Sequence, residues 1–190
     1  LIIHFQMQTM PPTNPSPARA LVWIRRDLRC DDHAALYHAL RRFDQVHCLF
    51  VFDTDILEAL PSRQDRRVEF IHASVLQLHE MLQALAERSG VQGAGLIVRH
   101  GPAADCVVAL AQSLGVQEQV LLDRDEVLTQ QGKPYSVFTP YKRAWLQKLD
   151  AFQRKPYPVE RYAHHLAPLP AVETLPTLQQ IGFARTNLQT

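Results

Sequence analysis

A chain of 190 residues with 46% hydrophobic and 21% charged side chains has the balance of an ordinary globular domain, with some length to spare. A formal net charge of +1 argues neither for nor against a polyanionic partner, and no run approaches the roughly 18 apolar residues that a membrane span needs. Three cysteines without a CxxC pair (Cys30, Cys48 and Cys106) exclude a disulfide framework and predict a reducing, cytoplasmic setting. Cys48 and Cys106 sit in apolar runs and read as small core residues. Sixteen of the twenty basic residues are arginine, the cation suited to planar contacts with phosphate and carboxylate, although surface ion pairs account for most such residues.

Residues 1–19 read as a disordered or loosely ordered tail, rich in Pro, Thr, Ser and Asn, with Met10 as a natural start. From Ala20 the pattern is regular. ALVWI (20–24) is a short apolar run of the kind that forms a buried parallel strand. Asp31 or Asp32 is then expected to cap a helix through Arg42. VHCLFVF (46–52) is a second buried strand. Pro61 is expected to open a long helix whose apolar positions Val68, Ile71, Val75, Leu78, Leu82 and Leu85 step by three and four, and Gly90 to end it. GLIV (95–98) predicts a third strand, Pro102 to Gly115 a further helix, and QVLL (119–122) a fourth strand.

The alternation predicts a Rossmann-like, doubly wound α/β fold: a mostly parallel sheet of four to five strands with helices on both faces, over residues 20–150. Thr139 and Pro140 predict one more helix to about Leu149. Residues 151–190 are proline-rich without a long apolar period and read as a linker, or as a segment wrapping another domain.

Ligands of open parallel sheets bind at the carboxyl ends of the strands. Those ends carry Arg25 to Arg29, Asp53 to Asp55, Arg99 to Pro102, and Asp123 to Glu126. No GxGxxG, no GxxxxGK[ST], no GxSxG elbow and no metal-ligand spacing accompanies them. His33, His38, His47, His72, His79 and His100 are expected in solvated or hydrogen-bonded roles, and His164 and His165 on a loop. From these strand ends, Arg25, Asp27, Asp53, Arg124 and Asp125 are the candidate cofactor-binding residues; no catalytic residue and no metal ligand is expected.

Residues 20–36, ALVWIRRDLRCDDHAAL, resemble the opening of the DNA photolyase/cryptochrome family, whose pattern is matched by Trp23, Arg25, Asp27, Leu28, Arg29 and Asp32, with His33 where the family usually has Asn. Residues 51–82 are similar to the family's second strand and following helix. GKPYSVFTPYKRAWL (132–146) is the most specific piece, carrying Pro134, Tyr135, Val137, Phe138, Thr139, Pro140, Tyr141, Ala144 and Trp145. LQQIGFARTNL (178–188) resembles the connector that precedes the family's helical domain.

The resemblance implies the amino-terminal lobe of a light-driven enzyme that splits cyclobutane pyrimidine dimers in UV-damaged DNA. That lobe holds an antenna chromophore, a reduced folate or a deazaflavin. FAD and the chemistry belong to a helical domain that has no counterpart before Thr190, so this chain alone is expected to be inactive. A helix and a further strand that the family carries after Asp125 are also without counterpart. Beside the repair enzyme stand two alternatives: a cryptochrome-like blue-light photosensor, and an orphan nucleotide-binding α/β module. A monomer without membrane or metal is expected. Phe138, Tyr141 and Trp145 read as packing residues around a cap, and Trp23 as core. Arg66 and Arg67 are expected either to pair with Asp65 and Glu69 or to contact the helical lobe.

Overall fold

The computed structural model describes residues 17–116, 118–120, 156–170 and 174–188. Four strands, β1 (Arg19–Trp23), β2 (Gln45–Asp53), β3 (Leu96–Gly101) and β4 (Glu118–Val120), form one parallel sheet in the order β3-β2-β1-β4. Strands one to three step outward in one direction. The chain then crosses back to lay β4 on the other side of β1, which is the doubly wound arrangement expected from the sequence.

Period-two alternation divides the strand side chains between the two faces. Ala20, Val22, Ile24, Val46, Cys48, Phe50, Phe52, Leu96 and Val98 join one core, with helices α1 (Ala34–Arg42) and α3 (Arg66–Arg88). Leu21, Leu49, Val51 and Ile97 join the other, with α4 (Ala103–Leu114). Burial on both faces explains why β1, β2 and the first half of β3 read as apolar runs.

Caps account for most departures from the expected boundaries. The α1 cap is neither Asp31 nor Asp32 but His33, whose Nδ1 accepts from Leu36 N–H at 3.1 Å. Asp32 adopts a left-handed φ of 47° and accepts instead from Tyr157 N–H at 2.7 Å. Pro61 does not open the long helix. Asp65 caps α3 by accepting from Arg67 N–H at 2.8 Å, because an Asx side chain satisfies an orphan donor that proline leaves open. A four-residue helix, α2 (Thr54–Leu57), precedes it and was not anticipated. Gly90 follows α3 with φ 82° and Gly115 ends α4 with φ 61°, both left-handed turns as expected. Strand β3 extends through Arg99 and His100, so these lie within the strand rather than beyond it.

Helix α4 is held at both poles. Asp53 Oδ1 accepts from Ala103 N–H at 3.2 Å at its start, and Arg19 Nη1 donates to Leu114 carbonyl oxygen at 2.9 Å at its end. A carboxylate at the amino pole and a guanidinium at the carboxyl pole both complement the helix dipole.

The carboxyl-terminal segments depart most from expectation, because they wrap this lobe. A 3-10 helix, Val159–His165, packs against α1 and α3, and Val159, Ala163, Leu166, Leu178, Ile181 and Phe183 are buried in the larger core. Bridges Val46 to Leu166 and Ala94 to Pro168 stitch the segment to the sheet. His165, in this helix and not in a loop, donates from Nδ1 to Leu40 carbonyl oxygen at 2.6 Å. Cys30 and Cys48 are buried in the larger core, and Cys106 packs half-buried against the smaller one. Burial pushes the Cys48 thiol up to about 12, far from thiolate chemistry. Leu121 and Leu122, the expected helix 139–149 and any fifth strand lie outside the described residues.

Candidate functional site

Two cavities compete for the site. The larger, about 850 Å³, is a groove between α3 and residues 175–188. Its best-placed polar groups, Glu69 and His72, are already engaged by the fold. Glu69 accepts from Thr186 N–H at 2.8 Å and from the Thr186 hydroxyl, and that pairing holds its carboxyl below the usual range. His72 Nε2 donates to Pro176 carbonyl oxygen at 2.8 Å. Such a groove fastens a segment of chain and leaves little to recognise a polar ligand.

The smaller cavity, about 360 Å³, lies where the topology places ligands: over the carboxyl ends of β1 and β2, walled by α2 and the first turns of α3. Trp23, Phe50 and Phe52 supply aromatic surface, and Leu28, Val51, Ile56, Leu57 and Ile71 the rest of the apolar wall. Arg25 and Arg26 are exposed at its rim, with the Arg25 guanidinium 4.7 Å from the centre of the Trp23 ring. Asp53 is the one acid among the described lining residues, half-buried, its Oδ1 shared between Asp55 N–H and Ala103 N–H at 3.2 Å each.

The alternation of β2 sends Phe50 and Phe52 to one side of the sheet and Val51 to the other, so the cleft reaches over the strand end from both faces. Phe50 and Phe52 meet edge to face at 5.0 Å, and His72 stacks behind Phe52 at 5.9 Å. Ile56 is 59% and Ile71 38% exposed, high values for large apolar side chains beside a cavity. Ile71 was expected to face the core with the rest of its helix stripe; its exposure at the cleft is the signal that sequence reasoning passed over.

Of the expected site residues, Arg25 and Asp53 therefore come together in one cleft. Asp27 stands outside the lining, its carboxylate 2.8 Å from Arg29 Nε. Arg124 and Asp125 lie outside the described residues. Trp23 is half-buried beside the cleft rather than fully within the core. Arg67 pairs with Asp65 at 2.5 Å, one of the two expectations for it, while Arg66 donates to Asn187 Oδ1 at 2.5 Å. Among the described residues no His, Cys, Asp or Glu cluster is suited to a metal ion, and no helix is long and apolar enough to cross a membrane.

Fold and cleft together define an open α/β lobe with an aromatic-lined pocket at the carboxyl edge of its sheet. The DNA photolyase family model matches residues 20–118 and 113–161, and the chain belongs to that family. It is 30% identical over 210 residues to a deoxyribodipyrimidine photo-lyase of Halobacterium salinarum, covering 86% of this chain and 41% of that protein. A photo-lyase of the same name from a Synechococcus species is 28% identical over 210 residues, covering 87% of this chain and 40% of that protein. A cryptochrome DASH of Gloeobacter violaceus is 28% identical over 192 residues, with 87% and 37% covered. The crystal structure of a class III photolyase from Agrobacterium tumefaciens superposes with a TM-score of 0.58 at 19% identity, covering 92% of this chain and 40% of that one, and attests the fold. The chain thus spans about two fifths of the curated relatives it matches.

Proposed function

We propose that this chain is the antenna-chromophore lobe of a deoxyribodipyrimidine photolyase, and that the cleft over β1 and β2 holds the chromophore. The observation that carries the reading is the cleft itself: aromatic walls, a cationic rim and a position at the ligand-binding edge of a photolyase-family fold. About 360 Å³ lies within the range of small-molecule sites and suits a fused two- or three-ring system with its tail projecting outward. In this reading Trp23, Phe50 and Phe52 contact the ring, while Arg25 and Arg26 meet the anionic tail of a reduced folate or a deazaflavin. The Trp23 ring already accepts the Arg25 guanidinium, so a bound ring extends that stack.

A bound chromophore of this class absorbs near-ultraviolet to blue light and hands on excitation. The acceptor in this reading is FAD in a helical lobe outside residues 1–190, which also holds the DNA contacts and the dimer-splitting chemistry. Excitation transfer needs no acid, base or nucleophile from this lobe, in keeping with a cleft in which Asp53, the one acid among its described lining residues, accepts from two backbone amides. Similarity to a cryptochrome DASH supports a second reading, a photosensor lobe built on the same antenna cleft.

The test is absorption. The purified chain is incubated with a reduced folate or a deazaflavin, passed through gel filtration and scanned from 300 to 500 nm, a window of about 200 nm that protein alone leaves dark. A band that stays with the protein and is lost in Trp23→Ala supports the reading. A bare protein spectrum after every incubation overturns it.

A further inference from the structure

We propose that Arg63 is a positioning residue for the cleft: it hangs the α2 wall on the carboxyl-terminal segment, so that occupancy of the cleft and the seating of residues 174–188 are coupled. The coupling rests on the reading that the cleft takes a chromophore; the tie that carries it does not. Helix α2 is the part of the cleft least able to hold itself, being four residues long. A single turn does not repay its own ordering, so its position has to come from contacts outside it. The turn is closed by Glu58 N–H donating to Thr54 carbonyl oxygen at 2.8 Å, and Asp53 holds its start through Asp55 N–H. Ile56 and Leu57 give it to the cleft as a wall. At its carboxyl end, the Leu57 carbonyl oxygen accepts from Leu60 N–H at 3.2 Å and from Arg63 Nη1 at 3.1 Å. The second is a charge-assisted bond to one of the carbonyls that a helix end leaves over.

Arg63 is in turn held by the segment that wraps the lobe. Its carbonyl oxygen accepts from Ala184 N–H at 2.9 Å, and its guanidinium carbon lies 5.3 Å from the centre of the Phe183 ring, which is buried in the larger core. Asn187 on Arg66 and Thr186 on Glu69 fasten the same stretch to the first turn of α3. The path therefore runs from ring to guanidinium, from guanidinium to Leu57 carbonyl, and from Leu57 to the cleft. Among the described residues none of 174–188 lines the cleft, yet this segment sets where one of its walls stands. A ligand packed against Ile56 and Leu57 steadies α2, then Arg63, then Ala184. By linkage, a seated segment raises the affinity for that ligand by the same factor.

Native-state hydrogen exchange tests the tie on the ligand-free chain. In Arg63→Ala the amides of Glu58 and Leu60 are expected to exchange about tenfold faster. Tyr37 N–H, bonded to His33 carbonyl oxygen at the start of α1, should keep its rate and show that the fold is intact. Arg63→Lys, which keeps a cationic donor, is expected to restore part of the protection. A reduced folate and a deazaflavin are the probes of the coupling. Either, at saturation, should slow exchange of the Ala184 amide about fivefold in the wild type and leave it unchanged in Arg63→Ala, whose affinity for the probe should fall by a similar factor. A merely structural role would speed exchange across the whole core and leave the affinity where it was. The slowing of Ala184 in the wild type is read without any variant, so it stands even where Arg63→Ala does not fold.

Unchanged Glu58 and Leu60 exchange in Arg63→Ala overturns the inference and leaves the antenna reading intact. So does a probe that binds the wild type without slowing Ala184, or that binds Arg63→Ala as tightly as the wild type. Failure of both probes to bind the wild type overturns the antenna reading and, with it, the coupling.

Discussion

The two faces of the sheet are covered on different principles. On the face of α1 and α3, apolar area does the holding: residues as distant as Ala20, Leu82, Ala163 and Phe183 share one core, and the carboxyl-terminal segments add a layer outside it. On the other face α4 contributes a small described core of Ala103, Val107, Leu110 and Leu114, and directed polar ties at its two poles, through Asp53 and Arg19, fix its position. Packed area resists deformation, whereas a few polar ties fix a direction and leave room beside them. The cleft opens at the end of the sheet where those ties begin.

The sharpest way to break this contrast is to truncate matched leucines. Leu82→Ala, in the larger core with no exposed surface, should cost about 4 kcal/mol in denaturant unfolding. Leu110→Ala, on α4 and 5% exposed, should cost about 2 kcal/mol, since its surroundings relax more readily. Equal losses would mean that the faces are equally consolidated.

Acid probes both faces next. His47 is buried and held down to about 4, by burial first and then by Arg19; His33, also buried, is lowered chiefly by burial. For both, the unfolded chain binds protons more readily than the folded one. Their contribution is complete above about 6.5 and is lost as pH falls from there toward 4. The expected loss is roughly 3 kcal/mol, most of it from His47, read as the fall in denaturation midpoint between pH 7 and pH 4. A flat profile would show that neither imidazole is kept neutral by the fold.

A smaller effect sharpens the packed face alone. A Cβ at Gly95 would stand 2.8 Å from His79 Cε1, and His79 Nδ1 accepts from Leu96 N–H at 3.1 Å. Gly95→Ala must move that ring and loosen the bond, for about 1–2 kcal/mol of thermal stability. The smallest is on the tied face. Asp53→Ala removes an acceptor from two helix starts and should cost about 1 kcal/mol, with faster amide exchange at Ala103 and Asp55 as its local signature.

Strands and long helices were legible because burial on both sheet faces leaves continuous apolar runs, and a helix between them leaves a stripe at steps of three and four. Boundaries were legible only where a residue type has one dominant role, as at Gly90 and Gly115. His33 hid its helix start because imidazole seldom caps and two aspartates stood beside it, one of them engaged by Tyr157. The carboxyl-terminal wrap was illegible for a different reason: it buries single residues such as Val159 and Phe183, without a period, and fastens itself through backbone bonds. In the candidate site, the topological rule for strand ends found Arg25 and Asp53. It could not find Phe50, Phe52 or Ile71, whose meeting at one edge depends on how α2 and α3 approach the sheet.

The wrap also sets a clock. Val46 pairs with Leu166, and Phe183 joins the core shared with α1 and α3, so that core is incomplete until those residues leave the ribosome. At about 5–20 residues per second, between roughly 7 and 30 seconds separate the synthesis of Val46 from that of Phe183. During that interval the part of the larger core that Val159, Ala163, Leu166 and Phe183 fill lies uncovered, and a chaperone or the emerging segment itself must shield it.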